Sequence, residues 1–515
     1  MLYTSIVTLL ESRFRIGAYD MVLLVMMVTS TLLLFVWICF PRHVKGLFPG
    51  SLFASRKMKS QHPNWNEDEL FMENFGELYK VLQANSAIQL METYNQQPPH
   101  VTHFCFLVHG YSGFSKDLSY LEAVMRLFVE REKYTLAQSD SKIRQDMIVH
   151  TPICNENKTK DGVRNGGERL LNEIFDVIRS SMMQQTTDTS STAEIRDITI
   201  SFLGNSLGGL YSRYAISRLA EETDNMILDG RWKLHFNIFC TTASPHLGIS
   251  KHTYFPIPRA AEIGVAHTMG ETGKDLFRVN GLLKAMATTP KFLKPLQQFR
   301  KRIAYANAFA TDFPVPTATA AFLHSDSLYP HYSGRLDSEV ETDIDCNITD
   351  DDGLVVGVFH TRQEEKLDDN PDCIPQNRHF GENGIDQNDD LALMSYKLDS
   401  LGWKKVFVDL RSQIPIGMNM PRMGFKDETG ITKRSNSSMS NLSKRKVVGS
   451  FEVAESTRKP PDLERISLPL GHNMIVAFSR DQLCTTFYKG GRPLVDSLAK
   501  EIVGSIFEWK DTKLD

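Results

Sequence analysis

The chain has 515 residues, of which 41% are hydrophobic, and a formal net charge of −4. This length and apolar content suffice for one large α/β domain with insertions, and the small net charge gives no electrostatic support for nucleic-acid binding. The seven cysteines are scattered, odd in number and without a Cys-x-x-Cys pair. A disulfide framework and a metal site are therefore not expected, and a reducing compartment is favoured.

Residues 21–40 form a run of 20 residues without a charge, which is long enough to cross a bilayer as one helix. Trp37 lies near one end of the run, as interfacial residues do, and the basic residues that follow the run predict a cytosolic C-terminal portion. We expect a single-pass membrane anchor within residues 1–45, with the endoplasmic reticulum and the lipid droplet as candidate membranes. A buried core helix, a monotopic hairpin and a signal anchor of opposite sense are the alternatives.

Residues 46–100 read as a polar, partly helical approach segment, and residues 101–490 alternate between apolar strand-like runs and amphipathic helices. This alternation is typical of an α/β-hydrolase-like fold with a mostly parallel sheet covered by helices on both faces. The predicted strands are 103–108, 146–151, 198–203, 236–241, 302–309 and 404–410. The predicted helices are 118–130, 166–183, 207–219 and a C-terminal helix over 491–515.

Three stretches have a different composition. Residues 250–300 are rich in Leu, Met and Phe with helical spacing, and two readings remain open: a lid over an acyl-chain pocket, or a layer packed on the sheet. Residues 366–390 are acidic, and residues 425–465 are rich in Ser, Lys, Arg and Pro. We expect both to be insertions without stable structure, because they contain too little apolar surface to offset the entropy of ordering.

The pentapeptide Gly204-Asn205-Ser206-Leu207-Gly208 joins a predicted strand to a predicted helix. A G-x-S-x-G sequence at such a corner is the nucleophile elbow of serine hydrolases, where the serine hydroxyl projects above the sheet edge. The flanking Gly204 and Gly208 keep the sharp turn open. The bare pattern arises readily by chance, so its position between strand and helix carries the prediction that Ser206 is the nucleophile.

A serine hydroxyl becomes nucleophilic when a histidine takes its proton, and a carboxylate must orient that histidine. In the α/β-hydrolase order both residues follow the serine, each in a loop after a late strand. Asp312 and His472 meet this requirement. On position alone, other acids and histidines remain open: Asp326, Asp350, Asp351, Asp352, His324, His331, His360 and His379.

An oxyanion hole needs two backbone N–H donors. We expect one from Leu207, the residue after the nucleophile, and the other from the loop after the first strand, from Tyr111 or Gly110. Ser112 follows in the same loop, but it is not expected to be a nucleophile because no second glycine closes an elbow around it and no helix follows at once.

Six segments resemble the serine esterase family of α/β-hydrolases, which includes fungal lipid-droplet phospholipases and acylglycerol lipases. They are residues 106–121, 161–174, 198–216, 239–249, 272–323 and 471–476. The resemblance implies Ser206 as the nucleophile, Asp312 as the acid and His472 as the C-terminal histidine. Asn205 departs from the family, which usually has histidine there. The Pro-His-Leu-Gly segment implies that His246 shapes the pocket rim without acting in catalysis.

Together these residues predict a membrane-anchored serine hydrolase that cleaves carboxylic esters of a lipid, an acylglycerol or a phospholipid, through an acyl-enzyme intermediate. No metal or cofactor is required, and the expected partners are the lipid ester and a membrane. Two alternatives remain: an acyltransferase or protein thioesterase with the same triad, and a catalytically inactive membrane-tethered scaffold.

Overall fold

The structure is a computed structural model. The residues it describes are 67–96, 99–139, 144–185, 196–227, 230–250, 258–308, 311–312, 314–323, 353–361, 363, 390–414, 417–418, 466–467 and 470–509. The predicted membrane span at 21–40 and the predicted insertions, apart from Asp390, lie outside these ranges. Across the described ranges, no helix is long and apolar enough to span a bilayer.

A mostly parallel sheet forms the centre of the described structure, as predicted. Its strands are β1 Val101–Val108, β2 Gln145–His150, β3 Arg196–Asn205, β4 Met226–Ile227, β5 Trp232–Thr242, β6 Lys301–Asn307, β7 Val355–His360 and β8 Lys404–Val408. The order across the sheet is β2-β1-β3-β5-β6-β8-β7, with β4 paired to β5. Neighbours from β2 to β8 are parallel, whereas β7 and β4 pair antiparallel with β8 and β5. A separate antiparallel pair consists of β9 Gly417–Met418 and β10 Ile466–Ser467.

The helices surround this sheet. They are α1 Glu67–Leu82, α2 Asn85–Gln96, α3 Ser119–Gln138, α4 Val163–Gln185, α5 Leu207–Thr223, α6 Arg259–Thr268, α7 Gly270–Leu276, α8 Leu282–Thr288, α9 Pro290–Gln297, α10 Thr317–Ala320, α11 Asp390–Asp399, α12 Gly471–Met474, α13 Gln482–Tyr488 and α14 Arg492–Phe507. Short 3₁₀ turns lie at Ser115–Leu118, Arg411–Gln413 and Lys489–Gly491.

Helices cover both faces of the sheet. All eight residues of β1 are buried, which is expected of a parallel strand between two helical layers. Phe104 and Phe106, on one face of β1, belong to a core cluster with residues of α4, α5, α7, α8, α9 and α11. On the other face α14 packs against α3 and β5, and Asn237 of β5 donates a hydrogen bond to the Ile506 carbonyl at 3.3 Å.

Residues 258–297 make up most of the described part of the 250–300 segment. Leu276, Leu283, Met286 and Leu296, from helices α7, α8 and α9, are all buried in the main core cluster. The burial of these three helices in the core favours the packed-layer reading for them, and the lid over an acyl-chain pocket stays a prediction. Their apolar residues face α5 and α11, with which α9 and α8 pack.

Both ends of the described chain are also packed. Helices α1 and α2, within the approach segment, contact α3. The C-terminal helix begins at Arg492 and ends at Phe507, a shorter span than the predicted 491–515. Its apolar face, including Leu498 and Ile502, is buried, so this helix is part of the helical layer that covers the sheet.

Candidate active site

Ser206 lies at a strained corner between β3 and α5. Its backbone has φ 55° and ψ −126°, a left-handed conformation that costs about 1–3 kcal/mol for a non-glycine residue. Two backbone hydrogen bonds hold the corner: the Ser206 N–H donates to the Thr242 carbonyl at 2.9 Å, and the Gly209 N–H donates to the Ser206 carbonyl at 3.1 Å. This is the backbone of a nucleophile elbow, which presents a serine hydroxyl at the sheet edge.

The two elbow glycines are required by packing. A Cβ at Gly208 would lie 2.0 Å from the Val108 carbonyl oxygen, and one at Gly204 would lie 2.5 Å from the Gly209 Cα. Both neighbours are backbone atoms that cannot move aside cheaply, so only glycine allows α5 to start this close to β1. Asn205, the departure from the family pattern, accepts a hydrogen bond from the Thr242 hydroxyl at 3.0 Å and ties the elbow to β5.

The structure brings Asp312 and His472 together, although 160 residues separate them in the sequence. The Asp312 Oδ2 lies 3.0 Å from the His472 Nδ1. Because a carboxylate oxygen accepts, this contact places the imidazole proton on Nδ1 and leaves Nε2 to accept a proton from another group. The carboxylate is buried and also accepts from the Asn307 side chain at 2.8 Å and the Val315 N–H at 2.9 Å, so its position is fixed by three donors.

The segment that carries His472 is docked on the loop that carries Asp312. Asp312 and Leu470 form an isolated antiparallel bridge, and the Gly471 N–H donates to the Thr311 carbonyl at 2.7 Å. A Cβ at Gly471 would lie 2.8 Å from that same carbonyl oxygen. The close approach of the two backbones is therefore what places the imidazole on the carboxylate.

Ser206 and the Asp312–His472 pair lie at the same edge of the sheet. Ser206 follows β3 and Asp312 follows β6, and β5 lies between these two strands. Hydrogen bonds cross this edge from strand to strand: Ser206 N–H to Thr242, and Ala243 N–H to the Tyr305 carbonyl at 2.9 Å. Because all these strands are parallel, Ser206 and Asp312 emerge from the carboxyl ends of the strands, where α/β enzymes bind ligands. His472 reaches this edge through its contact with Asp312.

The loop after β1 lies beside the nucleophile. A Cβ at Gly110 would lie 2.7 Å from the Ser206 Cβ and 3.2 Å from its Oγ. The Gly113 N–H donates to the Gly110 carbonyl at 3.1 Å and closes a tight turn through Tyr111 and Ser112. This is the location required of the second oxyanion donor, and Leu207 begins α5 on the other side of Ser206. The assignment of N–H donors to Leu207, Gly110 and Tyr111 stays a prediction.

Of the competing acids and histidines, the structure describes one, His360. His360 ends β7 and pairs with Lys404, the first residue of β8, so it lies at the opposite edge of the sheet from Ser206. The remaining candidates lie outside the described residues: Asp326, Asp350, Asp351, Asp352, His324, His331 and His379.

His246 lies in the interior and not at a pocket rim. Its ring packs against Phe322 and Trp403, and its two nitrogens lie 3.2 Å from Arg213 Nη1 and 3.0 Å from Thr241 Oγ1. Burial, together with the charges of Arg213 and Lys405, lowers the pKa of His246 well below its ordinary value. A neutral, fully buried imidazole of this kind stabilises the packing of α5 on β5.

Residues missed by the sequence reasoning also contact the site. Asn307, the last residue of β6, holds the Asp312 carboxylate, and a polar residue at a strand's carboxyl end was the available signal. Asp117 and Arg480 form an ion pair beside the Gly110 loop, and nothing in the sequence links two residues so far apart. Among the described side chains, no group of three His, Cys, Asp or Glu residues could hold a metal ion.

Comparison with known proteins supplies independent evidence on the family. Residues 98–324 match the family model described as "Putative serine esterase (DUF676)". The "Putative lipase ROG1" of Saccharomyces cerevisiae is 28% identical over 236 residues, which are 44% of this chain and 30% of that protein. The "Putative lipase YDL109C" of the same yeast is 26% identical over 231 residues, 44% of this chain and 31% of that protein. The chain thus spans about three tenths of the length of these curated relatives.

Two solved structures share short stretches of similarity. The Bacillus licheniformis lipase BlEst2 is 14% identical with a TM-score of 0.23, and the match covers 41% of this chain and 36% of that one. The product of the gene lin2722 from Listeria innocua is 14% identical with a TM-score of 0.22, covering 43% of this chain and 78% of that one.

Proposed function

We propose that the protein hydrolyses carboxylic esters of lipids through Ser206, His472 and Asp312, because residues 98–324 match the serine esterase family model. The observation that carries the proposal is the 3.0 Å contact between Asp312 and His472, at the sheet edge that also carries the strained elbow of Ser206. A buried carboxylate that orients a histidine beside an elbow serine is the arrangement that activates a serine for acyl transfer.

The proposed reaction has two halves. His472 takes the Ser206 proton on Nε2 as Oγ attacks the ester carbonyl, and then gives it to the leaving alcohol, which leaves an acyl-enzyme. Water, deprotonated by the same imidazole, releases the acid and restores the serine. The backbone N–H groups at Leu207 and at Gly110 or Tyr111 stabilise the oxyanion, and one such donor typically contributes about 10²–10³ in kcat.

A lipid ester is proposed on two grounds. The two yeast relatives are described as lipases, and residues 21–40 provide an uncharged stretch long enough to anchor the protein in a membrane. An acylglycerol or a phospholipid of that membrane is therefore the proposed substrate. The cytosolic side remains the proposed location of the domain, because basic residues follow the apolar run.

Activity profiling of the full chain tests the proposal. We expect a fluorophosphonate probe to label the wild-type protein and a panel of acylglycerols and phospholipids to identify a hydrolysed ester. Ser206→Ala should abolish labelling and lower turnover by at least about 10⁴-fold. Ser217→Ala is the matched control, because Ser217 lies on α5, the helix that follows Ser206, and its hydroxyl donates a hydrogen bond to the Lys291 carbonyl.

The outcomes separate the alternatives. Hydrolysis that persists near the wild-type rate in Ser206→Ala would reject the mechanism. Absence of both labelling and turnover in the folded wild type would favour the inactive scaffold. Acyl products formed with added alcohols or thiols, in preference to free acid, would indicate an acyltransferase or a thioesterase.

A further inference from the structure

An ion pair between the partly exposed Arg480 and the buried Asp117 lies beside the proposed oxyanion loop. The Arg480 guanidinium donates from Nε to Asp117 Oδ1 at 2.7 Å and from Nη2 to Asp117 Oδ2 at 2.8 Å. Such bidentate pairs fix the relative orientation of both side chains. The rings of Phe114 and Phe478 lie 4.6 and 5.0 Å from the guanidinium carbon, so the cation is enclosed by aromatic faces as well.

Arg480 also reaches the backbone of the oxyanion loop. Its Nη2 donates to the Ser112 carbonyl at 2.9 Å, and on the other side the Ser112 N–H donates to the Thr159 hydroxyl at 2.9 Å. Ser112 has φ 51°, a conformation that persists only where surrounding contacts impose it. Both backbone groups of this strained residue are therefore held by side chains from outside the loop, two positions after Gly110.

Hydrogen bonds next to this ion pair anchor the segment that carries His472. The Ser479 N–H donates to the Asp117 carbonyl at 3.2 Å, and the Tyr120 N–H donates to the Ser479 hydroxyl at 3.1 Å. The segment from 470 to 480 is thus held at one end by the Asp312 loop and at the other by Asp117. His472 lies between these two attachments.

We propose that Arg480, through its bidentate pair with Asp117 and its contact with the Ser112 carbonyl, is a positioning residue that sets the oxyanion loop and His472 in register around Ser206. The inference rests on the proposed function of Ser206, His472 and the Gly110 loop. Arg480 touches none of the reacting atoms in this role. It acts on the distance between an oxyanion donor and the imidazole, and transition-state stabilisation falls steeply with small displacements of such groups.

A guanidinium is needed for this role. The planar guanidinium donates three hydrogen bonds, two to the Asp117 carboxylate and one to the Ser112 carbonyl. The ammonium group of a lysine cannot reproduce that geometry. Removal of the guanidinium would release the Ser112 carbonyl from Arg480, and the strained turn would lose one of its two anchors. We therefore expect the ground-state affinity for ester to change little and the chemical step to slow.

The test compares turnover per active site in the full chain. Sites are titrated with a fluorophosphonate probe, and kcat and KM are measured on a soluble ester, p-nitrophenyl butyrate. Arg480→Met should lower kcat per titrated site about 10–100-fold with KM changed less than about 3-fold. Arg480→Lys should recover only part of this loss. Normalisation to titrated sites keeps a merely unstable variant from imitating the effect, because misfolded molecules are not counted.

A matched control and a double variant complete the experiment. Arg411 forms a bidentate pair with Asp409 after β8 at 2.9 and 2.7 Å, so Arg411→Met should leave kcat per site unchanged. The double variant Asp117→Asn with Arg480→Met should have a kcat per site no lower than that of Arg480→Met alone, because both substitutions break the same ion pair. An unaltered kcat in Arg480→Met beside an active wild type would overturn this inference and leave the proposed function intact; an inactive wild type would overturn the proposed function itself.

Discussion

At the scale of single residues, four of the nine non-glycine residues with positive φ in the described ranges lie around the candidate site. They are, in chain order, Ser112 in the Gly110 loop, Ser206 at the elbow, Ala243 directly after β5 and Ala477 in the segment that carries His472. Strained residues of this kind persist where the surrounding structure over-determines them, and they cluster at functional sites. Here hydrogen bonds hold Ser112 and Ser206 on both sides, which indicates that the site is rigid before a substrate arrives.

Gly110 is the residue where this rigidity can be tested with one methyl group. In Gly110→Ala the new Cβ would lie 2.7 Å from the Ser206 Cβ, so the loop or the nucleophile must shift. We expect kcat to fall at least about 100-fold, comparable with loss of an oxyanion donor, and fluorophosphonate labelling to slow in parallel.

The control for this change is Gly281→Ala, because a Cβ at Gly281 has no heavy atom within 4 Å. It should label and turn over like the wild type. If Gly110→Ala also kept wild-type turnover, the loop after β1 would not form part of the reacting site.

At the scale of helices and strands, local signals made the central sheet predictable. Long apolar runs such as 103–108 and 236–241 lie within observed strands, and the strand-turn-helix motif placed Ser206. The edge strand β7 escaped prediction, because its sequence Val355–His360 has only one buried residue, Phe359, and lies beyond a long stretch without clear periodicity. An antiparallel edge strand of this kind lacks the continuous apolar run of a covered parallel strand.

The contacts between loops could not be predicted from local signals. Chain order and the family resemblance suggested Asp312 and His472 and, through the triad, their contact, but not the backbone hydrogen bond from Gly471 to Thr311 that brings the two segments together. The Asp117–Arg480 pair has no periodic signature, because hydrogen bonds between two irregular segments depend on where the whole sheet places them. Sequence reasoning therefore found the residues of the proposed chemistry and missed the residues that hold them in place.

Glu173 of α4 gives a prediction at the level of elements, since it caps the loop that follows β2. Burial alone would raise the pKa of Glu173, but hydrogen bonds from His150, Cys154 and Ile153 lower it to about 2. The ordinary value is about 4.3. Because the folded-state pKa is depressed, the stabilisation is fully present above pH 4.3 and is lost as the pH falls towards 2, and it amounts to about 2–3 kcal/mol.

We expect Glu173→Gln to lower the free energy of unfolding by that amount at pH 6. The difference from the wild type should shrink as the pH is lowered through 4 to 3, as measured by urea unfolding. Glu77→Gln is the control, because Glu77 pairs with Lys80 on an exposed helix surface, and it should show no measurable change at either pH. A difference for Glu173→Gln that stayed constant with pH would contradict the role of the charge.

At the scale of the whole molecule, the apolar core and the proposed active site are formed by different parts of the fold. The apolar residues of α4, α5, α7, α8, α9 and α11 are packed together on one face of the sheet. The candidate site instead draws on the loops after β1, β3 and β6 and on the segment from 470 to 480, all at the carboxyl edge. Parallel strands gather these distant segments at one edge, which is where open α/β sheets place their ligand sites.

The proposed membrane anchor can be separated from this domain by the last prediction. Every contact of Ser206, Asp312 and His472 given above comes from residues 101–509, so deletion of residues 1–45 should leave kcat on p-nitrophenyl butyrate within about 2-fold of the full chain. The same deletion should move the protein from the membrane pellet to the supernatant, because it removes the 20-residue uncharged run.

A matched variant that keeps the length, Leu32→Arg with Leu33→Arg, should also weaken membrane retention, since each arginine costs about 2.5–3.5 kcal/mol at the centre of a spanning helix. Sedimentation after carbonate extraction measures both variants. A truncated protein that stayed in the pellet with full activity would reveal a second membrane-binding surface on the hydrolase domain, and wild-type retention of the double arginine variant would rule out residues 21–40 as the anchor.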